Sequence, residues 1–308
     1  MKRLYRKLLR RIIPPRTLTR VNHLAHIDER LLDADAARAL LAEAWLRDRH
    51  PALFAPPAPG QREFSLFSQN GEDGILLWLL DLTGAPVKTF VEIGIENGRE
   101  CNTAVLAFLL GWDGLMLEAN ALGVHQARRL AQRLLARKAN RVDIRQELVT
   151  AENVNALIAE AGYGGELGVL SIDVDGMDYW LWKALSVARP RLVIVEYNAT
   201  LGANRAVTVP YQRDFECRRA HASGFYHGAS LPALELLGRR RGYQLAAVES
   251  AGVNAFFVRE DICPPALRSQ TAAGLFRDHF ARTRTMTPGE QWELIRHLPL
   301  VSVESLSS

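Results

Sequence analysis

From Asn70 to Asp261 the chain alternates short, almost wholly apolar runs with amphipathic ones, and the alternation ends in a different pattern. The apolar runs are Phe90–Gly94, Gly114–Ala119, Gly168–Asp173 and Leu192–Tyr197, with Val142–Val149 a weaker strand among them. Helix-like segments lie between them: GEDGILLWLLDL from Gly71, then Arg99–Leu110, Ala121–Arg137, Glu152–Gly162 with Thr150 as its cap, and Tyr179–Leu185. Strands that are apolar throughout are buried on both faces, which requires a parallel sheet covered by helices on each side. After a helix at 231–241, two strand-like runs, Gln244–Val248 and Ala255–Val258, are joined by a short turn containing glycine. They read as an antiparallel hairpin. The expected class is α/β, a doubly wound parallel sheet closed by one antiparallel hairpin.

Two strand ends carry the strongest chemical signal. The stretch TFVEIGIENG (Thr89–Gly98) places Glu92 and Gly94 at the end of the first strand, with a loop running to Gly98. The stretch GLMLEAN (Gly114–Asn120) ends the second strand in Glu118, followed by Asn120. Glycines let a backbone approach a ligand closely, and a carboxylate after the second strand can accept both hydroxyls of a ribose. Glu96 stands mid-loop where a pyrophosphate wants a small residue. The pattern favours a cofactor with a ribose and no pyrophosphate, of which S-adenosylmethionine (SAM) is the leading case. Glu147, near the end of the third strand, is the candidate for the adenine side. The alternative for each is plain structure: a strand-to-helix turn, or a surface glutamate at a strand end.

The fourth strand runs into LSIDVDGMDYW (Leu170–Trp180). Asp173 and Asp175 share a face if the strand persists, at the end where open α/β sheets bind ligands. Asp178 falls at a helix start, where a carboxylate is favourable by itself. One reading makes Asp173 or Asp175 a general base for an acceptor hydroxyl. A second gives Asp173, Asp175, Glu196 and Asn198 a hard divalent ion such as Mg²⁺ through oxygen ligands. The 200–230 segment is long and polar and reads as a lid over this end of the sheet. In it His227, just before a helix start at Ser230, is the histidine placed to act as a base, unless it is a loop histidine bonded to backbone. Asn254, entering the last strand, is expected to face the same cleft.

Length and charge bound the rest. The 308 residues are 48% hydrophobic and 23% charged, enough for one generous domain with appendages. The net charge of +4 is uneven: residues 1–27 hold eight Lys or Arg and no acid, so the remainder carries −4. No nucleic-acid partner is expected of such a body. Residues 2–13, KRLYRKLLRRII, form a basic amphipathic helix that suits either peripheral contact with an anionic membrane surface or docking on a protein surface. No apolar run is long enough to span a bilayer, and three scattered cysteines fit a reducing compartment. The expected location is cytoplasmic, with a peripheral membrane contact as its variant. The expected division is 1–60 (basic helix, second helix at 28–50, Pro-rich linker at 51–60), 61–262 (catalytic body) and 263–308 (helical appendage). In the last of these, Thr287-Pro288-Gly289-Glu290 is a capping-box helix start.

Five stretches together resemble the FkbM-type branch of class I SAM-dependent methyltransferases. They are SQNGEDGIL (Ser68–Leu76), FVEIGIENGRECNT (Phe90–Thr103), LSIDVDGMDYW, VIVEYNA (Val193–Ala199) and AGVNAFFV (Ala251–Val258), so the likeness covers roughly residues 64–261. It implies a Rossmann-like seven-stranded sheet, SAM as methyl donor, and transfer to an oxygen of a small-molecule or saccharide acceptor. By motif position it gives Glu92, Gly94 and Glu118 to SAM, and Asp173 and Asp175 to the acid-bearing site. Two positions depart from common members: Asp175 where many carry Glu, and Glu96 where Asn is frequent. A second expectation is a non-catalytic module of the same fold, recruited by its basic helix to a membrane or partner. A nicotinamide oxidoreductase is disfavoured by the loop spacing and the terminal hairpin.

Overall fold

The computed structural model describes residues 62–306. The expected helices at 2–13 and 28–50 and the linker at 51–60 lie outside the described residues. The main sheet has seven strands: β1 (Thr89–Ile93), β2 (Asp113–Glu118), β3 (Val142–Gln146), β4 (Gly165–Ile172), β5 (Ala188–Glu196), β7 (Tyr243–Val248) and β8 (Asn254–Arg259). A two-residue strand, β6 (Val207–Thr208), lies between β5 and β7 in sequence. The spatial order is β3-β2-β1-β4-β5-β8-β7. The first five strands are mutually parallel, and β8 and β7 run antiparallel as the closing hairpin. This is the Rossmann-like, mostly parallel sheet closed by one antiparallel hairpin that the alternation and its broken end imply. The order reverses between β1 and β4, so the loops after these two strands diverge and leave a crevice at their carboxyl ends.

Both faces of the centre are covered, as apolar strands require. Val91, Ile93, Leu115, Leu117, Leu170, Ile172, Val193 and Val195 are buried in one cluster with Tyr179, Trp182 and Phe257. The Trp182 and Phe257 rings pack at 4.8 Å between centroids. Phe90 and Glu92 alternate with Val91 and Ile93, so they point to the other face. That face is covered by α1 (Glu72–Thr83) and α2 (Ala104–Phe108).

Helix α2 is shorter than the expected 99–110. The Glu92 carboxylate accepts the backbone N–H groups of Asn102 (2.7 Å) and Thr103 (3.1 Å), and the Thr103 hydroxyl. Residues 99–103 therefore stay in turns around that carboxylate. The Thr150 cap also differs: Asn153 reaches back, its Oδ1 accepting from Thr150 N at 2.7 Å, and the helix α4 (Val154–Glu160) starts one residue later. The helices α3 (Ala121–Leu134), α5 (Asp178–Ala184) and α7 (Leu231–Arg240) follow the expected positions within a few residues.

SQNGEDGIL proves to be a clasp. Asp73 accepts from the backbone of Leu66, Phe67 and Ser68, folding the incoming chain over the start of α1. Glu72 accepts from Asn70 and from Asn254 Nδ2, which ties α1 to β8. Asn254 stands opposite Glu196 in the β5–β8 register, with its amide nitrogen taken up by Glu72 of α1.

The 200–230 segment contains β6 and a short helix, α6 (Cys217–Ala220), and is anchored at both ends. β6 pairs antiparallel with β9 (Val301–Ser302), and Tyr226 donates its hydroxyl to Pro299 O at 2.5 Å. The chain after 262 forms α8 (Ala272–Leu275), α9 (Phe280–Thr283) and α10 (Pro288–Ile295). The capping box of Thr287 and Glu290 is formed as expected. Gln291 of α10 meets the Thr200 hydroxyl at 2.9 Å, so this segment braces the long loop. Among the described residues, no helix is long and apolar enough to cross a membrane.

Candidate active site

The loop after β1 is shaped by its neighbours. Gly94 has φ +85, and a Cβ on it would overlap the carbonyl oxygen of Asp173. Its N–H bonds Leu117 O at 2.9 Å, so the loop leaves the sheet with β2 on one side and the Asp173 turn on the other. Gly98 answers to packing: a Cβ there would lie 2.9 Å from the Ala127 Cβ of α3.

Glu118 stands at the lip of this loop. One carboxylate oxygen accepts from Glu96 N (2.8 Å) and the other from Asn120 N (2.7 Å). Each oxygen keeps a further lone pair, so the group is fixed in place and still able to accept two hydroxyls. Glu96 is held at φ 46, a left-handed conformation that costs a non-glycine residue of order 1 kcal/mol or more. Asn120 is the N-cap of α3, its Oδ1 accepting from Leu122 N and Gly123 N, which leaves only its amide N–H₂ for a ligand. Glu147 follows β3 beside Glu118, its N–H bonding Glu118 O at 2.8 Å.

Glu92 is 2% exposed, and its carboxylate is wholly engaged by Asn102 and Thr103. It braces the loop from beneath rather than standing open to the crevice. Burial pushes its pKa up to about 7, against the opposing pull of the Thr103 and Asn102 hydrogen bonds. Burial likewise raises Asp73 to about 6 and Glu249 to about 7. A folded-state pKa above the unfolded one gives stability that is full below the unfolded value, near 4.5 for Glu92, and is lost as pH rises through the folded value. Urea midpoints should therefore fall between pH 5 and pH 8, and the fall should be shallower in Glu92→Gln. A midpoint rising over that range would contradict this account.

Across Gly94 lies a second group of acids. Asp173, Asp178 and Glu196 bring carboxylate oxygens within 4.8 Å of one another. Asp178 is fully buried and holds the DVDG turn, accepting from Val174 N (2.9 Å) and Gly176 N (3.0 Å). Among the described residues, no hydrogen bond reaches the Asp173 or Glu196 carboxylate. Burial raises all three pKa values, and mutual repulsion raises Asp173 and Glu196 further; Arg282 partly offsets this at Glu196. The expected quartet is not assembled. Asp175 is exposed at φ 54, outside the trio. The Asn198 amide is engaged on both sides: Nδ2 donates to Phe225 O and His227 O, and Oδ1 accepts from Thr200 N and Arg282 Nη1.

His227 adjoins the trio but is not set up as a base. It is 2% exposed, with Nδ1 3.9 Å from Glu196 Oε2 and Nε2 2.9 Å from Arg282 Nη2. Burial first, then Arg282 and His279, push its pKa down to about 3. A ring that resists protonation at neutral pH is a weak proton acceptor. The sequence offers Asp178 as one of three clustered acids, with a helix-start role as its plain alternative, and gives no sign of Arg282. Arg282 comes from α9, and no spacing pattern links it to β5.

No protein-family model matches the sequence, and no curated protein matches it. Solved structures with a similar fold include magnesium protoporphyrin IX methyltransferase from Synechocystis PCC 6803 with bound SAH. It is 16% identical, with 72% of this chain and 99% of that one covered and a TM-score of 0.41. The O-methyltransferase from Bacillus cereus in complex with SAH is 18% identical, with 75% and 95% covered and a TM-score of 0.40. The SAH-bound methyltransferase PaMTH1 from Podospora anserina is 12% identical, with 72% and 87% covered and a TM-score of 0.40.

Proposed function

We propose that this protein is a SAM-dependent methyltransferase directed at an oxygen, with a small-molecule or saccharide hydroxyl as acceptor. The observation that carries this is Glu118, pinned by two backbone N–H groups beside the Gly94 loop, with the Asp173–Asp178–Glu196 acids across that loop. One side offers a bidentate acceptor for a ribose. The other offers negative charge suited to a sulfonium and an ammonium. A dinucleotide fits less well, because Glu96, Glu118 and Asp173 all border the crevice where a pyrophosphate would lie.

The residues fit the cofactor at three places. Glu118 would take the ribose hydroxyls, Glu147 beside it would meet the base, and the Gly94–Gly98 backbone would meet the methionine part, with the loop held by Glu92. When bound, SAM supplies a methyl group activated by its positive sulfur. The chain's own work is alignment of the acceptor oxygen, exclusion of water, and removal of the hydroxyl proton to a carboxylate oxygen of Asp173 or Glu196. Calorimetry should show binding of SAM and SAH and none of NAD⁺; folded protein that ignores SAM would end this reading.

Mg²⁺ is a second occupant for the Asp173–Asp178–Glu196 oxygens, whose spacing suits a hard cation. On the reading preferred here the cation is the cofactor's own. Methyl transfer should then survive EDTA, and titration with Mg²⁺ alone should give no heat. Activity lost to EDTA and restored by Mg²⁺ would assign the trio to the metal instead.

A further inference from the structure

The corner between His227, Glu196 and Arg282 specifies a proton position. Arg282 extends from α9 into the body, its Nη1 donating to Asn198 Oδ1 (2.9 Å) and to the Thr200 hydroxyl (3.3 Å). Its Nη2 lies 2.9 Å from His227 Nε2. A guanidinium has only donors, so Nε2 must be the acceptor, and the single proton of the neutral ring must sit on Nδ1. The ring is pinned from its backbone as well, because Asn198 Nδ2 donates to His227 O at 2.8 Å. Nδ1 is buried and has no hydrogen-bond partner among the described residues; it faces Glu196 Oε2 across 3.9 Å. That gap is too long for a hydrogen bond. A buried donor without a partner is costly, so its complement is expected to come from outside the chain.

We propose that Arg282 is a positioning residue that holds His227 as the Nδ1–H tautomer, so that Nδ1–H and the Glu196 carboxylate together seat a hydroxyl oxygen. A group in this corner must accept from nitrogen and give to a carboxylate. Nδ1 exposes almost no surface, so an oxygen about 2.8 Å from both enters only as the surrounding atoms give way, and it then satisfies the two at once. A cation would meet the positive end of the N–H, and an anion would meet Glu196. A neutral hydroxyl does neither. The tautomer stands independently of the cofactor; that the hydroxyl belongs to the methyl acceptor rests on the reading above.

The test is long-range ¹⁵N–¹H correlation on protein labelled at histidine, with the His227 signal identified by its loss in His227→Asn. The expected spectrum shows Nδ1 as the protonated nitrogen and Nε2 as the bare one. In Arg282→Met the proton should move to Nε2, the form a free histidine side chain prefers; Arg282→Lys, which keeps a donor, should hold it on Nδ1. A wild-type spectrum with the proton on Nε2 overturns the proposal, whether or not either variant folds, and so does an unchanged tautomer in folded Arg282→Met. Glycerol, the probe for the hydroxyl seat, should shift the Nδ1 signal saturably, and Mg²⁺ should not. No response to glycerol, or a response to Mg²⁺ alone, overturns the hydroxyl seat. Methyl transfer is read in neither arm, so failure here leaves the SAM titration to judge the enzyme by itself.

Discussion

Gly94→Ala should destabilise the protein by roughly 2–5 kcal/mol, the sum of about 1–2 for a left-handed alanine and about 1–3 for overpacking. The conformational part follows from φ +85. The steric part follows from the neighbour. The new methyl would overlap the Asp173 carbonyl, which is backbone and directly follows β4, the strand paired with β1. A flexible side chain could swing away; this carbonyl lies in a residue whose N–H bonds Ile93 O at 2.9 Å, so it moves only if the carboxyl ends of β1 and β4 part. Those two ends form the crevice, so cofactor affinity should fall with stability. Gly111→Ala is the control. It has φ +69 with open space around the position, so only the conformational term applies. Urea unfolding of the pair should separate them by at least 1 kcal/mol; equal losses would show that the overlap is relieved at no cost.

The sheet was legible because its signals are local. Apolar strands with no polar alternation demand cover on both faces, and the glycine turn between Val248 and Ala255 marks the hairpin that breaks the parallel pattern. Helix 99–110 misled because its periodicity is sound while a buried carboxylate from another element, Glu92, takes the N–H groups of Asn102 and Thr103. The Glu118–Gly94 side of the crevice was legible for a similar reason: these residues close consecutive strands, and parallel pairing brings such ends together. The acid side was not. Asp175 reads as the partner of Asp173 only if the strand continues to it, but β4 stops at Ile172 and the turn carries Asp175 outward while Asp178 swings in. His227 reads as an available base because sequence does not show burial, and its environment is set by Arg282 from a helix that closes over the site only in three dimensions.

Glu118→Ala should weaken SAM and SAH binding by about 1–3 kcal/mol, the loss of charge-assisted hydrogen bonds to a ribose. That is roughly 5- to 150-fold in Kd. Two causes could produce such a loss. Glu118 also holds Glu96 N, and with it the loop at an unfavourable φ, so its removal could act by loosening the loop rather than by losing a ligand contact. A nucleoside analogue lacking both ribose hydroxyls distinguishes the two. If Glu118 accepts those hydroxyls, the analogue binds wild type and Glu118→Ala with nearly equal affinity, since the contact is already missing. If Glu118 serves only the loop, the variant loses the same factor for both ligands. The expected coupling between the hydroxyls and Glu118 is most of the 1–3 kcal/mol. A coupling near zero would move the ribose away from the end of β2 and leave the Asp173–Asp178–Glu196 acids as the only anchor for a cationic ligand.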